Sequence, residues 1–131
     1  LILPAVAQRA SRDGISLNAA VTLPPFLLIS DSDLCVLLSN ALENALHACQ
    51  NLPVAETPPV ISVGGYEQDS RLFLQVANPC AEPVRFENGV PISNRPGHGL
   101  GVQSICAIVK RYGGICSFSA NNGIFLLRLS L

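Results

Sequence analysis

The sequence has no methionine and no tryptophan, a single lysine (Lys110), and charged residues at only 13% of its 131 positions. An average soluble domain carries about 25% charged residues. Eight Lys and Arg against nine Asp and Glu give a net charge of −1. Sequence-independent binding to nucleic acid needs clustered cations, so no nucleic-acid partner is expected. Long apolar runs are missing as well. Segments such as Phe26–Ile29 and Leu34–Leu38 are a few residues each, well short of the roughly 18 a membrane helix requires. This stretch of chain is therefore not expected to touch a membrane. The five cysteines are odd in number and contain no C-x-x-C pair, which argues against a disulfide framework or a structural zinc site. Free thiols, buried or half-buried in a reducing cytosol, are the expectation. With no methionine even at its first position, the sequence reads as a piece of a longer protein.

What is present is apolar. Hydrophobic residues make up 49% of the chain, which excludes intrinsic disorder. A chain of this length buries roughly two thirds of its unfolded surface without a staple, and residues 1–131 read as one domain. So little charge implies that part of the surface meets a partner, and the apolar stretch 1–10 is the expected docking face.

Along the chain, residues 1–13 have helical apolar spacing ending at Asp13-Gly14. Ile15–Leu23 alternates like a strand and stops at Pro24-Pro25. Ser30 or Asp31 caps a long helix reaching about Gln50, with Asp31 and Asp33 set against its dipole. Val60–Tyr66 and Arg71–Ala77 form a hairpin across Glu67–Ser70. The stretch 78–98, with four prolines and little periodicity, reads as a lid or binding loop. A helix follows from about Leu100 to Tyr112, stopped by Gly113-Gly114, with Lys110 and Arg111 complementing its C-terminal dipole. Ile115–Ala120 and Ile124–Leu131 close the chain as a hairpin turned at Asn121-Asn122-Gly123. This order predicts an α+β fold, a two-layer sandwich with helices on one face of a mixed sheet.

Two motifs carry chemistry. On the long helix, Asn40 and Asn44 lie four apart, with Leu37 before and His47 after at the same spacing, while Leu34, Leu38, Ala41, Ala45 and Cys49 make an apolar stripe toward the sheet. Asparagine is a weak helix former, and buried amides need partners. An oxygen-ligated cation such as Mg²⁺ supplies one, and Glu43 beside Asn44 is placed to take a proton. The alternative is that both asparagines are solvent-facing amides and Glu43 is a surface charge.

Gly97-His98-Gly99-Leu100-Gly101 opens the second helix. Alternating glycines let backbone N–H groups and the helix dipole approach a polyphosphate. The stretch lacks the Gly-Lys-Ser/Thr ending of a Walker loop and the preceding strand of a Rossmann loop. His98 is either a phosphate contact or a spacer. Arg95 is the better-placed cation for a phosphate. The alternative is a flexible hinge.

Together these residues resemble the catalytic ATP-binding domain of sensor histidine kinases, in the superfamily that also holds the gyrase and MutL ATPases. Leu38-Ser39-Asn40-Ala41-Leu42-Glu43-Asn44-Ala45 is similar to that family's N box, and Gly97–Gly101 to its second glycine box. The helix after Leu100 and the opening around Gly14-Ile15 and Leu28–Leu34 also look alike, closest to the peptide-sensing, accessory-gene-regulator type. The resemblance spans nearly the whole chain. It implies the GHKL (Bergerat) α/β sandwich, with ATP and Mg²⁺ as cofactors. Asn44 would be the metal ligand, Asn40 a phosphate contact and Glu43 the catalytic base. Residues 97–101, His98 and Leu100 included, would hold the phosphates under a lid spanning 79–98. Position 47, often basic in such kinases, is His47. The first glycine box departs from the pattern: Asn78 in Val76-Ala77-Asn78-Pro79-Cys80 stands where an aspartate reads adenine, and no glycines follow. An asparagine carbonyl can still accept from the adenine amino group; otherwise Asn78 starts a turn before Pro79.

The function implied is a cytoplasmic bacterial kinase domain of two-component signalling. It would pass the γ-phosphoryl group to a histidine on a separate dimerisation domain and act indirectly on a response regulator, within a membrane-anchored whole. Two other readings stand beside it: a nucleotide-responsive docking module without transfer activity, and a serine kinase of the anti-sigma-factor type.

Overall fold

In the computed structural model, which describes residues 2–53, 56–81, 83–92 and 100–131, the chain runs α1 (Ile2–Arg12), β1 (Ser16–Val21), α2 (Asp31–Gln50), β2 (Val60–Gln68), β3 (Arg71–Pro79), β4 (Phe86–Glu87), β5 (Val90–Pro91), α3 (Leu100–Arg111), β6 (Ile115–Asn121) and β7 (Ile124–Ser130). Five strands make one sheet in the order β1-β2-β3-β7-β6. Only β1 and β2 are parallel. They are joined through α2, the crossover a parallel pair demands. The other neighbours are antiparallel.

Burial alternates along the inner strands. On β3, Leu72, Leu74, Val76 and Asn78 are buried while Arg71 and Gln75 are exposed. Leu72, Leu74 and Val76 meet Leu37, Leu42 and Leu46 of α2 and Ile105, Ile108 and Val109 of α3 in one core. This is the two-layer α+β sandwich the sequence predicts. No described helix is long and apolar enough to cross a membrane.

The turns are tighter than expected. Asp69 and Ser70 both adopt positive φ (52° and 64°), so β2 and β3 join through two residues, not four. Asn122-Gly123 does the same (55° and 76°), as expected of Asn-Gly in a type I′ hairpin. The 78–98 stretch, read as unstructured, holds the small β4–β5 hairpin around Asn88-Gly89. Two residues per strand are too few to leave a periodic signal.

Glycine ends two helices by one device. Gly113 (φ 67°) donates to the Lys110 carbonyl at 3.0 Å, and Gly114 donates to the Val109 carbonyl at 2.9 Å. After α1, Gly14 (φ 71°) donates to Ser11 at 3.2 Å and Ile15 to Ala10 at 2.8 Å. Both are Schellman closures. At Gly114 the constraint is also steric: a Cβ there would sit 2.2 Å from the Ser130 carbonyl oxygen.

The start of α2 is fixed twice. Ser30 Oγ accepts from the Asp33 N–H at 3.1 Å, the expected N-cap. The Tyr112 hydroxyl donates to Asp33 Oδ2 at 2.6 Å and accepts from the Ser30 N–H at 3.1 Å. Arg111 Nη1 donates to Asp33 Oδ1 at 2.9 Å. Arg111 therefore pairs with α2, where the sequence pointed only to its own helix dipole. Tyr112 leads the causes that hold the Asp33 carboxyl below its ordinary value.

Of the apolar docking face expected over residues 1–10, Leu3 and Val6 pack on the core and Ala10 is fully buried. Among the described residues, the large apolar side chains left most exposed are Phe26 (88%) and Leu28 (90%), in the segment before α2.

Candidate functional site

Successive helical residues are rotated by about 100°, which divides α2 into stripes. The buried stripe holds Leu37, Leu38, Ala41, Leu42, Ala45, Leu46 and Cys49, wider than the sequence suggests because α2 packs on α1 and α3 as well as on the sheet. Leu37 belongs to this core. Outside it, the polar residues point to different neighbours: Asn40 toward α3, and Glu43 toward α1.

Asn40 is half-buried, and its Nδ2 donates to the Val36 carbonyl at 2.9 Å. Its Oδ1 faces the first turn of α3, lying 3.1 Å from the point where a Cβ on Gly101 would stand. The two helices approach closely at this glycine. One turn on, Asn44 is exposed, with its amide available to a ligand above the same surface. The first turn of α3 has no acidic residue, so no carboxylate of that turn offsets the partial positive charge of its N–H groups.

Glu43 is half-buried and held from two sides. One oxygen accepts from Arg9 Nη1 of α1, and the other lies 3.7 Å from His47 Nε2. The His47 contact follows from i,i+4 spacing. The Arg9 contact does not: 34 positions separate the residues. The only local signal was that Arg9 borders the inward face formed by Leu3, Val6 and Ala10.

Asn78 is the buried polar residue of the described core, 2% exposed. It does not start a turn. It stays in the β3 ladder opposite Phe125, with Pro79 still paired to Ile124. Its Nδ2 donates to the Pro79 carbonyl at 3.0 Å. An amide on the core side of a strand end offers hydrogen bonding to a planar polar ring in a way that no apolar residue would.

Leu100 and Gly101 begin α3, with Leu100 exposed. Arg95, Gly97, His98 and Gly99 lie outside the described residues, as does part of the expected lid. Among the described residues no three His, Cys, Asp or Glu gather as a metal cage. The polar set is instead amide oxygen and helix N–H. Such a set suits a hard cation sharing oxygen ligands with a phosphate.

Residues 29–131 match the profile of a GHKL domain. No curated protein sequence matches. Among solved structures, the catalytic domain of histidine kinase ThkA superposes with a TM-score of 0.75 at 13% identity, over 99% of this chain and 86% of that one. The Acinetobacter baumannii histidine kinase AdeS gives 0.67 at 12% identity, over 99% of this chain and 60% of that one. Full-length ShkA, solved with AMPPNP, gives 0.70 at 19% identity; this chain covers 27% of it. These identities speak to the fold, which is that of histidine kinase catalytic domains.

Proposed function

The chain belongs to the GHKL domain family, and we propose that it is the ATP-binding catalytic domain of a bacterial two-component sensor histidine kinase. The observation that carries this reading is the close approach of Asn40 to Gly101, which brings the asparagine helix to the last glycine of the 97–101 motif. The AMPPNP bound to a structure of the same fold supports it.

In this reading Asn44 holds Mg²⁺, and Asn40, His47, Arg95 and the 97–101 backbone hold phosphate. Asn78 accepts from the adenine amino group, its presence in place of an aspartate being the feature shared with the peptide-sensing type. Bound Mg-ATP supplies the γ-phosphoryl group. Phosphoryl transfer asks a protein mainly for positioning and electrostatics, which amides, helix N–H groups and one carboxylate provide. Glu43 takes the proton released by the attacking group, and Arg9 and His47 orient its carboxylate. The domain spans 1–131 with its lid over 79–98. The phosphoacceptor histidine belongs to a dimerisation domain of the same kinase, with a response regulator downstream and a membrane anchor that leaves this domain in the cytoplasm.

The test joins this domain to its phosphoacceptor domain and compares it with the Glu43→Gln variant. Acid-labile phosphohistidine should form. It should fall by roughly 100-fold or more in the variant while nucleotide binding persists. Acid-stable phosphoserine on a partner would favour the serine-kinase reading. Binding without any transfer would favour the docking module.

A further inference from the structure

Cys106 on α3 and Cys116 on β6 face each other with their sulfurs 4.0 Å apart, sharing a hydrogen. Neither belongs to the site above. All five cysteines are free thiols: Cys35 is exposed, Cys49 buried, and the other three, including this pair, half-buried. The short path between 106 and 116 is fixed by the Schellman closure at Gly113-Gly114 and by the close approach of Gly114 to Ser130. The pair is therefore presented by a rigid reversal of the chain. A disulfide needs its sulfurs at about 2.05 Å and its Cβ atoms about 3.5–4.5 Å apart. Closure therefore needs the two sulfurs to approach by about 2 Å, to which rotation of the two side chains contributes.

We propose that Cys106 and Cys116 are a thiol–disulfide modification site, closed by a peroxide and reopened by a dithiol. One sulfur of the pair attacks the peroxide O–O bond, giving a sulfenic acid and one water. The other sulfur then attacks the sulfenic sulfur; the S–S bond forms, the S–O bond breaks, and the oxygen leaves with the thiol proton as a second water. Two thiols and one hydrogen peroxide thus become one disulfide and two waters. Burial first, and then the neighbouring Cys106, push the Cys116 thiol up. The bond would tie the middle of α3, whose first turn carries Gly101, to edge strand β6.

The experiment treats the folded chain with hydrogen peroxide, blocks remaining thiols with an alkylating reagent, and maps tryptic peptides. Lys110 and Arg111 lie between the two cysteines, so trypsin separates them unless sulfur joins them. The expected result is a peptide ending at Lys110 linked to one beginning at Tyr112, two hydrogens lighter than the pair, and released by dithiothreitol. Exposed Cys35 reports that oxidant was sufficient, and a monomer mass for the oxidised, unreduced Cys35→Ser chain under denaturing conditions shows that the link is intramolecular. Cys106→Ser and Cys116→Ser should each remove the linked peptide. Full oxidation of Cys35 with Cys106 and Cys116 both still alkylated, or each converted separately to higher oxides without a linked peptide, would overturn the proposal.

Discussion

Asn40 Oδ1 lies 3.1 Å from the position a Cβ on Gly101 would take, so the asparagine helix and the last glycine of the 97–101 motif approach closely. Gly101→Ala should separate function from stability. Alanine is the better helix former by about 1 kcal/mol, so the thermal midpoint should hold or rise. The Asn40 amide, pressed by the new methyl, should shift by a few tenths of an ångström, and nucleotide affinity should fall by about 10-fold, or ~1.4 kcal/mol. Unchanged affinity in a titration would place the phosphates elsewhere.

Asp33 joins α2 to the end of α3 through Tyr112 and Arg111. Its carboxyl is held below the ordinary value, chiefly by the Tyr112 hydroxyl. A lowered carboxyl contributes stability that is present above its unfolded value of about 3.9 and is lost as pH falls through the folded value. Thermal midpoints should therefore drop on acidification below about pH 4. Tyr112→Phe should lower the midpoint at pH 7 and flatten that acid decline. Parallel wild-type and variant curves would refute the coupling.

Gly114→Ala places a methyl 2.2 Å from a backbone oxygen of Ser130. The strand cannot yield cheaply, so a loss of about 2–3 kcal/mol is expected in denaturant unfolding. Gly64→Ala is the control: it meets nothing within 4 Å and should be neutral or slightly stabilising.

Arg9 and Glu43 are each about half exposed (47% and 45%). Solvent screens such a pair, so Arg9→Ala should cost no more than about 1 kcal/mol of stability. A larger loss would mean that α1 is held by this pair and not by the burial of Leu3, Val6 and Ala10.

Much of the fold was legible in local sequence because local chemistry decides it. Ser30 caps α2, Gly113 ends α3, and Asn122-Gly123 turns the last hairpin where sequence placed them. Asn40 and Gly101 were each identifiable, but their contact was not, since only the packing of α3 on α2 creates it. The same holds for Tyr112 with Asp33 and for Arg9 with Glu43, pairs made across the fold. The alternative that Asn78 starts a turn fails, and β3 runs past the expected end at Ala77, although a following proline usually ends a strand. Here β7 continues the ladder through Pro79, and the amide is carried into the core.

The central claim is that Asn44, exposed beside the Asn40–Gly101 contact, holds the magnesium of a bound nucleotide. The direct measurement is a calorimetric titration with ADP and a non-hydrolysable ATP analogue, with and without Mg²⁺, on the wild type and on Asn44→Ala. Asn44 is exposed, so the variant should fold with a stability within about 0.5 kcal/mol of wild type. Magnesium-dependent binding by the wild type, lost in Asn44→Ala, is the expected result. Equal binding by both proteins, or none by the wild type up to millimolar nucleotide, would contradict it.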